Sequence, residues 1–528
     1  MTMLRLHINE GSTPDPGAWR SELEGSDAFR EYPERDRLER ALAERMGLDA
    51  SQLLVTAGAD DALDRCCRLA FADGGEAIVP LPGFTTLLRL IEGAGGRVVD
   101  GRASIEVGPQ TRMVVITTPD NPSGETTSGA RLLELADRVP FLVVDNVYAE
   151  YAPEPIPAEL YRRPNVVVVR TFSKAWGLAG CRVGYAIGAP ETIAALRAIG
   201  NPYPVAGPSL AAATARLESG EGALAEHVRC VRDERQRLTA WLEAAGIPCS
   251  DSEANFVWAD FGARAGFVAR ALAGQGIRIR SFEGLSRLRI SLPGDGARYR
   301  RLEEGLRSAL APSALLFDMD GVLADVEASY RQAVVETAAS FGVPITREAV
   351  AESVARGGAN CDWALTRRLL AERGVERSLA EIRDRFQELY EAQALWERER
   401  PLVSPEWLRA LAERFPLAIV TGRPRDEAER FLDRYRLRSL FQSVVCREDG
   451  PLKPDPAPVR RALDELGCSD AWMVGDTPDD LRAALGAGIV GVGVIAPGDP
   501  AATAVPALDA AGASRVLSRT EDLEELLP

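Results

Sequence analysis

The sequence predicts an α/β protein built from parallel sheets covered by helices, and three observations carry that reading. Short apolar, β-branched runs alternate with longer helical patterns from one end of the chain to the other. The runs are buried-looking and end in polar or glycine-rich residues, as strands of a sheet covered on both faces do. At 528 residues the chain is also too long for one hydrophobic core, so several folding units are expected.

In chain order, the clearest strand candidates are Met113–Thr117, Phe141–Val144, Val166–Val169, Ala314–Phe317, Leu417–Val420 and Ala471–Val474. Ligands of such sheets bind beyond the carboxyl ends of the strands, so the residues just after each run are the ones to read for chemistry. Arg298–Leu310 has the pattern of an amphipathic helix, and a new strand begins at Ala314. A boundary is therefore expected at Ala311-Pro312-Ser313, with one unit over residues 1–310 and another over 313–528. From Ala328 to Trp396 the strand signal gives way to charged helical patterning, which reads as a helical insertion over about residues 328–398.

Composition narrows the function classes. Hydrophobic residues make up 46% and charged residues 27%, ordinary for a soluble globular chain. The net charge of −16 opposes nucleic acid or anionic membrane as general partners, because both are negative. Eight cysteines without a CxxC pair fit free thiols in a reducing compartment. The opening MTMLRLHINEG lacks an apolar signal-peptide core and no run is long enough to span a bilayer, so the expected location is the cytoplasm.

The richest stretch of the first unit is the strand Val166–Arg170 followed by TFSKAWGLAGCRVGY. Lys174 follows a buried-type strand among Phe172, Ala175 and Trp176. Such surroundings lower a lysine pKa and give a neutral amine that can condense with a carbonyl. Ser173 and Arg182 could hold a phosphate. Asp145 and Tyr148 follow a second strand, and Asn121 in TPDNPSG follows a third. Taken singly, Lys174 is a surface lysine, Asp145 a helix cap, Asn121 a turn residue and Tyr148 a packing residue. A buried aspartate at a strand end needs a partner, and a protonated pyridine nitrogen is one.

With the motifs INEG, REYPE, TAGADDAL, LPGF, TPDNPSG, VVDNVYAEY, TFSKAWGLAGCRVGY, NPYPVA, SEANF and RLRIS in order, residues 1–310 resemble the class I/II aminotransferases, and among them the histidinol-phosphate aminotransferases. The resemblance implies a pyridoxal-phosphate aminotransferase fold, with a large cofactor domain over about 35–200 and a small domain from about 1–34 plus 201–310. It implies that Lys174 bonds pyridoxal phosphate and later shuttles a proton, that Asp145 pairs with the ring nitrogen, and that Phe84 stacks on the ring. Asn121 and Tyr148 would contact the phenolic oxygen. Ser173, Arg182 and the amides of Ala59 and Asp60 would hold the phosphate at a helix N-terminus. Tyr32 would reach the cofactor of a second copy, which implies a homodimer. GIRIR and RLRIS offer Arg280 and Arg289 for a substrate phosphate, with Tyr203 and Asn255 in the same region. The other reading of Arg280 is a strand-surface arginine, leaving Arg289 alone to bind ligand.

In the second unit a strand ends in DMDGVLADV, which sets Asp318 and Asp320 two residues apart. Carboxylates this close repel, and a divalent cation relieves them. Thr421, Lys453 and the pair Asp476 and Asp480 follow further strands. Each aspartate could instead be a helix cap, and Lys453 a surface residue. In order, these motifs are similar to those of the haloacid dehalogenase superfamily, a Rossmann-like fold with a helical cap. The resemblance makes Asp318 the nucleophile and Asp320 the general acid and base. Thr421 and Lys453 steady the phosphoryl group, and Asp318, Asp320 (through its carbonyl), Asp476 and Asp480 hold Mg²⁺. Within the insertion, Arg356, Asn360, Asp362 and Trp363 of ARGGANCDW look like a specificity loop.

Together the two resemblances imply consecutive steps of histidine biosynthesis. Imidazole-acetol phosphate and glutamate would give histidinol phosphate and 2-oxoglutarate, and the phosphate would then be removed. The alternative is an aminotransferase of another amino acid or specialised metabolite joined to a phosphoglycolate-type or other small-molecule phosphatase.

Overall fold

The computed structural model describes residues 3–11, 27–358 and 360–528. They gather into two compact units. One comprises Arg5–Phe261 with Ile279–Arg301, and the other includes Gly262–Arg278 with Leu302–Pro528.

In chain order the strands of the first half are β1 (Leu4–Leu6), β2 (Leu53–Thr56), β3 (Gly75–Val79), β4 (Gly96–Asp100), β5 (Thr111–Thr117), β6 (Leu142–Asp145), β7 (Val166–Thr171), β8 (Gly184–Gly188), β9 (Phe256–Asp260), β10 (Ile277–Ser281) and β11 (Arg287–Ser291). A seven-stranded sheet takes the order β2-β8-β7-β6-β5-β3-β4. It is parallel except at β8, which runs antiparallel to both neighbours. Its central strands read as unbroken apolar runs because both faces are covered. Leu63, Cys66 and Cys67 of the helix Gly58–Ala70 pack with Val115, Val143 and Val167 of the sheet. Parallel strands β5, β6 and β7 end at the same edge, which sets the loops carrying Asn121, Asp145 and Lys174 side by side. A smaller sheet has the order β1-β10-β11-β9. There Arg280 of β10 stands opposite Arg289 of β11.

The second half contains β12 (Leu315–Phe317), β13 (Ala324–Asp325), β14 (Arg400–Pro401), β15 (Leu417–Val420), β16 (Ser443–Val445), β17 (Trp472–Gly475), β18 (Val490–Val494) and β19 (Val516–Leu517). Six of them form a sheet in the order β16-β15-β12-β17-β18-β19, parallel throughout. β12 lies between β15 and β17, so Asp318, Thr421 and Asp476 emerge at one edge. The helices Tyr330–Ser340, Arg347–Ala355, Asp362–Ala371 and Leu379–Ala392 form the insertion, which leaves and rejoins the sheet unit through the antiparallel ribbon β13–β14.

All six strand runs expected from the sequence are strands, each within two residues of its expected limits. The expected break at residue 311 follows the chain, whereas the contacts group Gly262–Arg278 and Leu302–Leu310 with the second unit. The reason is physical. Phe267 meets the fully buried Trp472 edge to face at 4.8 Å, and the Trp472 indole N–H donates to the Ser308 carbonyl at 2.7 Å. Arg270 Nε donates to the Ser514 carbonyl at 2.8 Å.

Removing a fully buried tryptophan leaves a large cavity and an unsatisfied carbonyl. Trp472→Ala is expected to destabilise this unit by about 3–5 kcal/mol, read from the urea midpoint by circular dichroism. A loss below about 1 kcal/mol would show that Trp472 does not hold these segments together.

Candidate functional sites

A cleft in the first unit is walled by the loops that follow β5, β6 and β7, by the start of the helix Gly58–Ala70, and by β10 and β11. Lys174 is at its floor. Its Nζ donates to the Asn9 carbonyl at 3.2 Å and lies 5.8 Å from the Tyr148 ring centre. Burial, with the Arg289 charge adding to it, pushes the amine down to about 8. Asp145 is 3% exposed, and its Oδ1 has no hydrogen-bond partner. Burial, reinforced by Asp60 and opposed by Lys174, pushes this carboxyl up to about 7. The buried Tyr148 hydroxyl accepts from Asn9 Nδ2 at 3.0 Å.

Beside them is an anion cradle. Arg182 Nη1 donates to Ser173 Oγ at 3.3 Å and Nη2 to Asp60 Oδ2 at 2.9 Å. Gly58, at φ +77°, opens the helix, and a Cβ there would stand 2.5 Å from Arg182 Nη2. Only glycine lets the helix N-terminus and the guanidinium approach so closely. At the other end, Arg289 is 6% exposed and donates to Asn121 Oδ1 and to the His7 carbonyl, while its Nε has no partner. Arg280 lines the same wall with its guanidinium 5.5 Å from the Phe282 ring centre. Like charges opposite one another destabilise a sheet unless an anion compensates them.

In the second unit, Asp318, Asp476 and Asp480 present carboxylate oxygens within 4.8 Å of one another, all buried. Lys453 Nζ lies 2.9 Å from Asp318 and 2.5 Å from Asp480, and donates to the Val420 carbonyl at 2.8 Å. Burial drives Asp318 and Asp476 upward, and Lys453 holds Asp318 back. Gly321, at φ +72°, follows Asp320, and a Cβ there would sit 2.4 Å from Asp476 Oδ2. The Asp320 carboxylate turns away from the cluster to accept from Arg423 Nε at 2.5 Å. Arg423 in turn donates to Glu399 at 2.9 Å.

Residues 2–305 match the family of aminotransferases class I and II. The chain belongs to the class I and II aminotransferases. Residues 312–488 match the haloacid dehalogenase-like hydrolases, so this aminotransferase carries a hydrolase domain in the same chain. One relative is an aromatic amino acid aminotransferase of Corynebacterium jeikeium, 34% identical over 52% of this chain and 83% of its own. Another is a histidinol-phosphate aminotransferase of Dinoroseobacter shibae, 32% identical over 59% of this chain and 92% of its own. An imidazoleglycerol-phosphate dehydratase of Phytophthora nicotianae is 42% identical over 196 residues, and the chain spans only 43% of that protein. Among solved structures, the histidinol-phosphate aminotransferase of Sinorhizobium meliloti in complex with pyridoxal-5'-phosphate is 28% identical. It has a TM-score of 0.52 over 58% of this chain and 90% of that one.

The aminotransferase cleft fits pyridoxal phosphate. The orphaned, buried Asp145 oxygen suits a protonated ring nitrogen, Lys174 is an amine lowered to about 8, and Arg182 with Ser173 and the helix N-terminus suits a phosphate. The second cluster fits a divalent cation, since one lysine serves only two of the three buried carboxylates and Asp476 Oδ1 has no hydrogen-bond partner.

Ala59, Asp60, Phe84, Asn121, Asp145, Tyr148, Ser173, Lys174, Arg182, Arg280 and Arg289 all line the aminotransferase cleft. Tyr32, Tyr203 and Asn255 do not line it. Tyr32 and Tyr203 stack on one another at 4.7 Å and are 79% and 50% exposed, and Asn255 is fully buried just before β9. In the hydrolase, Asp318, Asp320 and Asp476 line the cavity with Asn360, Asp362 and Trp363, while Lys453 and Asp480 lie buried beneath. Thr421 is buried and receives the Arg423 amide on its hydroxyl. Arg356 is not part of the cavity wall. Its guanidinium pairs with Glu372 at 2.7 Å instead. Sequence reasoning missed Asn9, Glu399 and Arg423 as site residues. Their signals were INEG and the TGR that follows β15, while Glu399 had none.

With an amine near 8, the neutral fraction of Lys174 rises from roughly 10% at pH 7 to roughly 90% at pH 9. Covalent capture of pyridoxal phosphate, trapped by borohydride and located by mass spectrometry, is therefore expected to speed up about ninefold over that range. It is expected to vanish in Lys174→Ala. Equal capture at both pH values would contradict the depressed amine.

Proposed function

We propose that this chain is a bifunctional enzyme of histidine biosynthesis. The first activity converts imidazole-acetol phosphate and glutamate to histidinol phosphate and 2-oxoglutarate, and the second hydrolyses histidinol phosphate to histidinol. The observation that carries the reading is the pair of arginines, Arg280 and Arg289, set on facing strand positions in the aminotransferase cleft of a chain that also carries a hydrolase. Two guanidiniums suit a phosphate dianion better than one carboxylate. The histidinol-phosphate aminotransferase relatives support it.

Pyridoxal phosphate, when bound, supplies the electron sink for loss of the α-proton. Lys174 takes that proton and returns it at the neighbouring position, a task its lowered pKa suits. Asp145 would keep the ring nitrogen protonated, Phe84 would stack on the ring, and Asn121 and Tyr148 would meet its phenolic oxygen. Ser173, Arg182 and the amides of Ala59 and Asp60 hold the phosphate. Arg289 grips the glutamate carboxylate in one half of the cycle, and with Arg280 it grips the substrate phosphate in the other. Tyr32 lies exposed, where it can meet the cofactor phosphate of a second copy in a homodimer.

In the hydrolase, Asp318, Asp476, Asp480 and the Asp320 carbonyl would hold Mg²⁺, which would supply positive charge against the phosphoryl oxygens. Asp318 attacks phosphorus and becomes an aspartyl-phosphate while Asp320 gives its proton to the leaving alcohol oxygen. Asp320 then takes a proton from the water that cleaves the acyl phosphate and frees Asp318. Thr421 and Lys453 steady the phosphoryl group, and Arg423 holds Asp320 in place. We place both reactions in the cytoplasm. Among the described residues no helix is long and apolar enough to cross a membrane.

A second reading rests on the contact of Arg280 with Phe282 and on the aromatic amino acid aminotransferase relatives. If Arg280 is spent on the sheet surface, Arg289 alone would hold a carboxylate. The pair would then be another amino acid aminotransferase with a different small-molecule phosphatase.

Phosphate release from histidinol phosphate with Mg²⁺ separates the readings. We expect wild type and Lys174→Ala to release phosphate alike, and Asp318→Asn to be slower by at least about 1,000-fold, since the nucleophile is gone. A protein that still captures pyridoxal phosphate and hydrolyses other esters but spares histidinol phosphate would exclude the histidine assignment. For the first activity, Arg280→Ala is expected to raise KM for imidazole-acetol phosphate about 10-fold or more while KM for glutamate changes little. Equal effects on both substrates would favour the second reading.

A further inference from the structure

Phosphoryl transfer leaves several groups of the hydrolase cavity without a task, among them Asp362, Trp363, Gln387 and Glu427. They come from three different helices. Asp362 and Trp363 open Asp362–Ala371 of the insertion, Gln387 lies in Leu379–Ala392, and Glu427 lies in Arg425–Arg434 beyond β15.

Two of these groups are carboxylates, and neither makes an ion pair among the described residues. Glu427 is 4% exposed and accepts only from the Tyr330 hydroxyl and from Gln387 Nε2, the latter at 2.7 Å. Its remaining lone pairs are free. Asp362 stands in the same cavity. Arg331, Arg423 and Arg447 line the cavity with them and favour the Asp362 charge, but none of the three hydrogen-bonds either acid among the described residues. Arg423 is held between Asp320 and Glu399. Arg331 is turned toward Asp499 at 3.9 Å. Arg447 lies 4.1 Å over the Trp363 ring and reaches the Cys361 sulfur. A third acceptor belongs to the amide that bonds Glu427. Gln387 Oε1 is buried and has no donor.

Of the three only Gln387 Oε1 has no donor, but burial pushes the unpaired carboxyls of Asp362 and Glu427 up to about 6 and about 7, and a cation beside them would restore their charge. A ligand that brings N–H donors and a positive charge would satisfy all three at once, beside a tryptophan that offers an apolar wall. We infer that Asp362, Glu427 and Gln387 receive a protonated nitrogen on the alcohol part of the ester. The hydrolase is thereby selective for phosphomonoesters of amino alcohols over neutral esters of the same shape. This inference rests on the hydrolase reading above and deepens it, since histidinol phosphate carries such an ammonium. Bound to a neutral ester, the cavity keeps two carboxylates unpaired, and that is what rejects it.

The test compares esters that differ only in the amine, with Mg²⁺ present at about pH 8, where an imidazole is neutral and an amine still protonated: histidinol phosphate against 3-(imidazol-4-yl)propyl phosphate, and 2-aminoethyl phosphate against propyl phosphate. The full-length wild type is expected to favour the amine of the better-hydrolysed pair by at least about 30-fold in kcat/KM, the range of a hydrogen bond to a charged group. In Asp362→Asn and in Glu427→Gln that ratio is expected to fall toward one, chiefly through KM for the amine. Turnover of p-nitrophenyl phosphate serves as the check that each variant is folded. Equal kcat/KM for amine and neutral ester in the wild type overturns the inference while leaving the hydrolase reading intact. So does a preference that survives both substitutions. Absence of hydrolysis of all five esters sinks the hydrolase reading and this inference with it.

Discussion

Parallel strands that end together deliver polar side chains into a place where water is scarce, and both sites are consequences of that placement. In the hydrolase, Asp318, Asp476 and Asp480 lie within 4.8 Å of one another, with Lys453 the cation shared by two of them. One ammonium cannot balance three carboxylates in a medium that magnifies their repulsion. The cluster therefore demands a further cation, and the sheet has no way to supply one. In the aminotransferase the same logic gives the single orphaned oxygen of Asp145. Each fold thus places a deficit where its partner molecule is needed.

The two sites handle charge in opposite ways. The aminotransferase cleft gathers cations, with Arg182 at one end and Arg280 beside Arg289 at the other, around a lysine kept short of its usual proton affinity. The hydrolase cavity gathers carboxylates instead, and Arg423 there is tied to Asp320 and Glu399. A molecule leaving the first site and entering the second would exchange recognition by its phosphate for recognition by the rest of its structure.

Much of this was legible in the residues alone because it is local. A strand run followed at once by SK, DN or DMD places chemistry by spacing of a few residues, so Lys174, Asp145, Asp318 and Asp320 could be picked out directly. What escaped were partners remote in sequence. Asn9, which meets both Lys174 and Tyr148, is 139 residues from the latter, and Arg423 reaches Asp320 across 103. Tyr203 and Asn255 were expected near the arginines because the motifs stand in order, but order does not say which way a side chain turns. Asn255 is fully buried with its side-chain amide unpartnered, and Tyr203 stacks on Tyr32. The grouping of Gly262–Arg278 with the second unit was equally invisible, since it depends on Phe267 finding Trp472 more than 200 residues away.

The ribbon of β13 and β14 joins the helical insertion to the sheet unit with Ala324 opposite Pro401 and Asp325 opposite Arg400. Entry and exit of the insertion are therefore neighbours in space, bound to one another by backbone hydrogen bonds that depend little on side-chain identity. Whatever is threaded between them can lengthen, shrink or be exchanged, and the sheet will register the change only at two adjacent strand ends. The arrangement lets one part of the chain remain fixed while the other is rewritten, although a transplanted insertion would bring Asp362 and Gln387 with it and leave Glu427 behind.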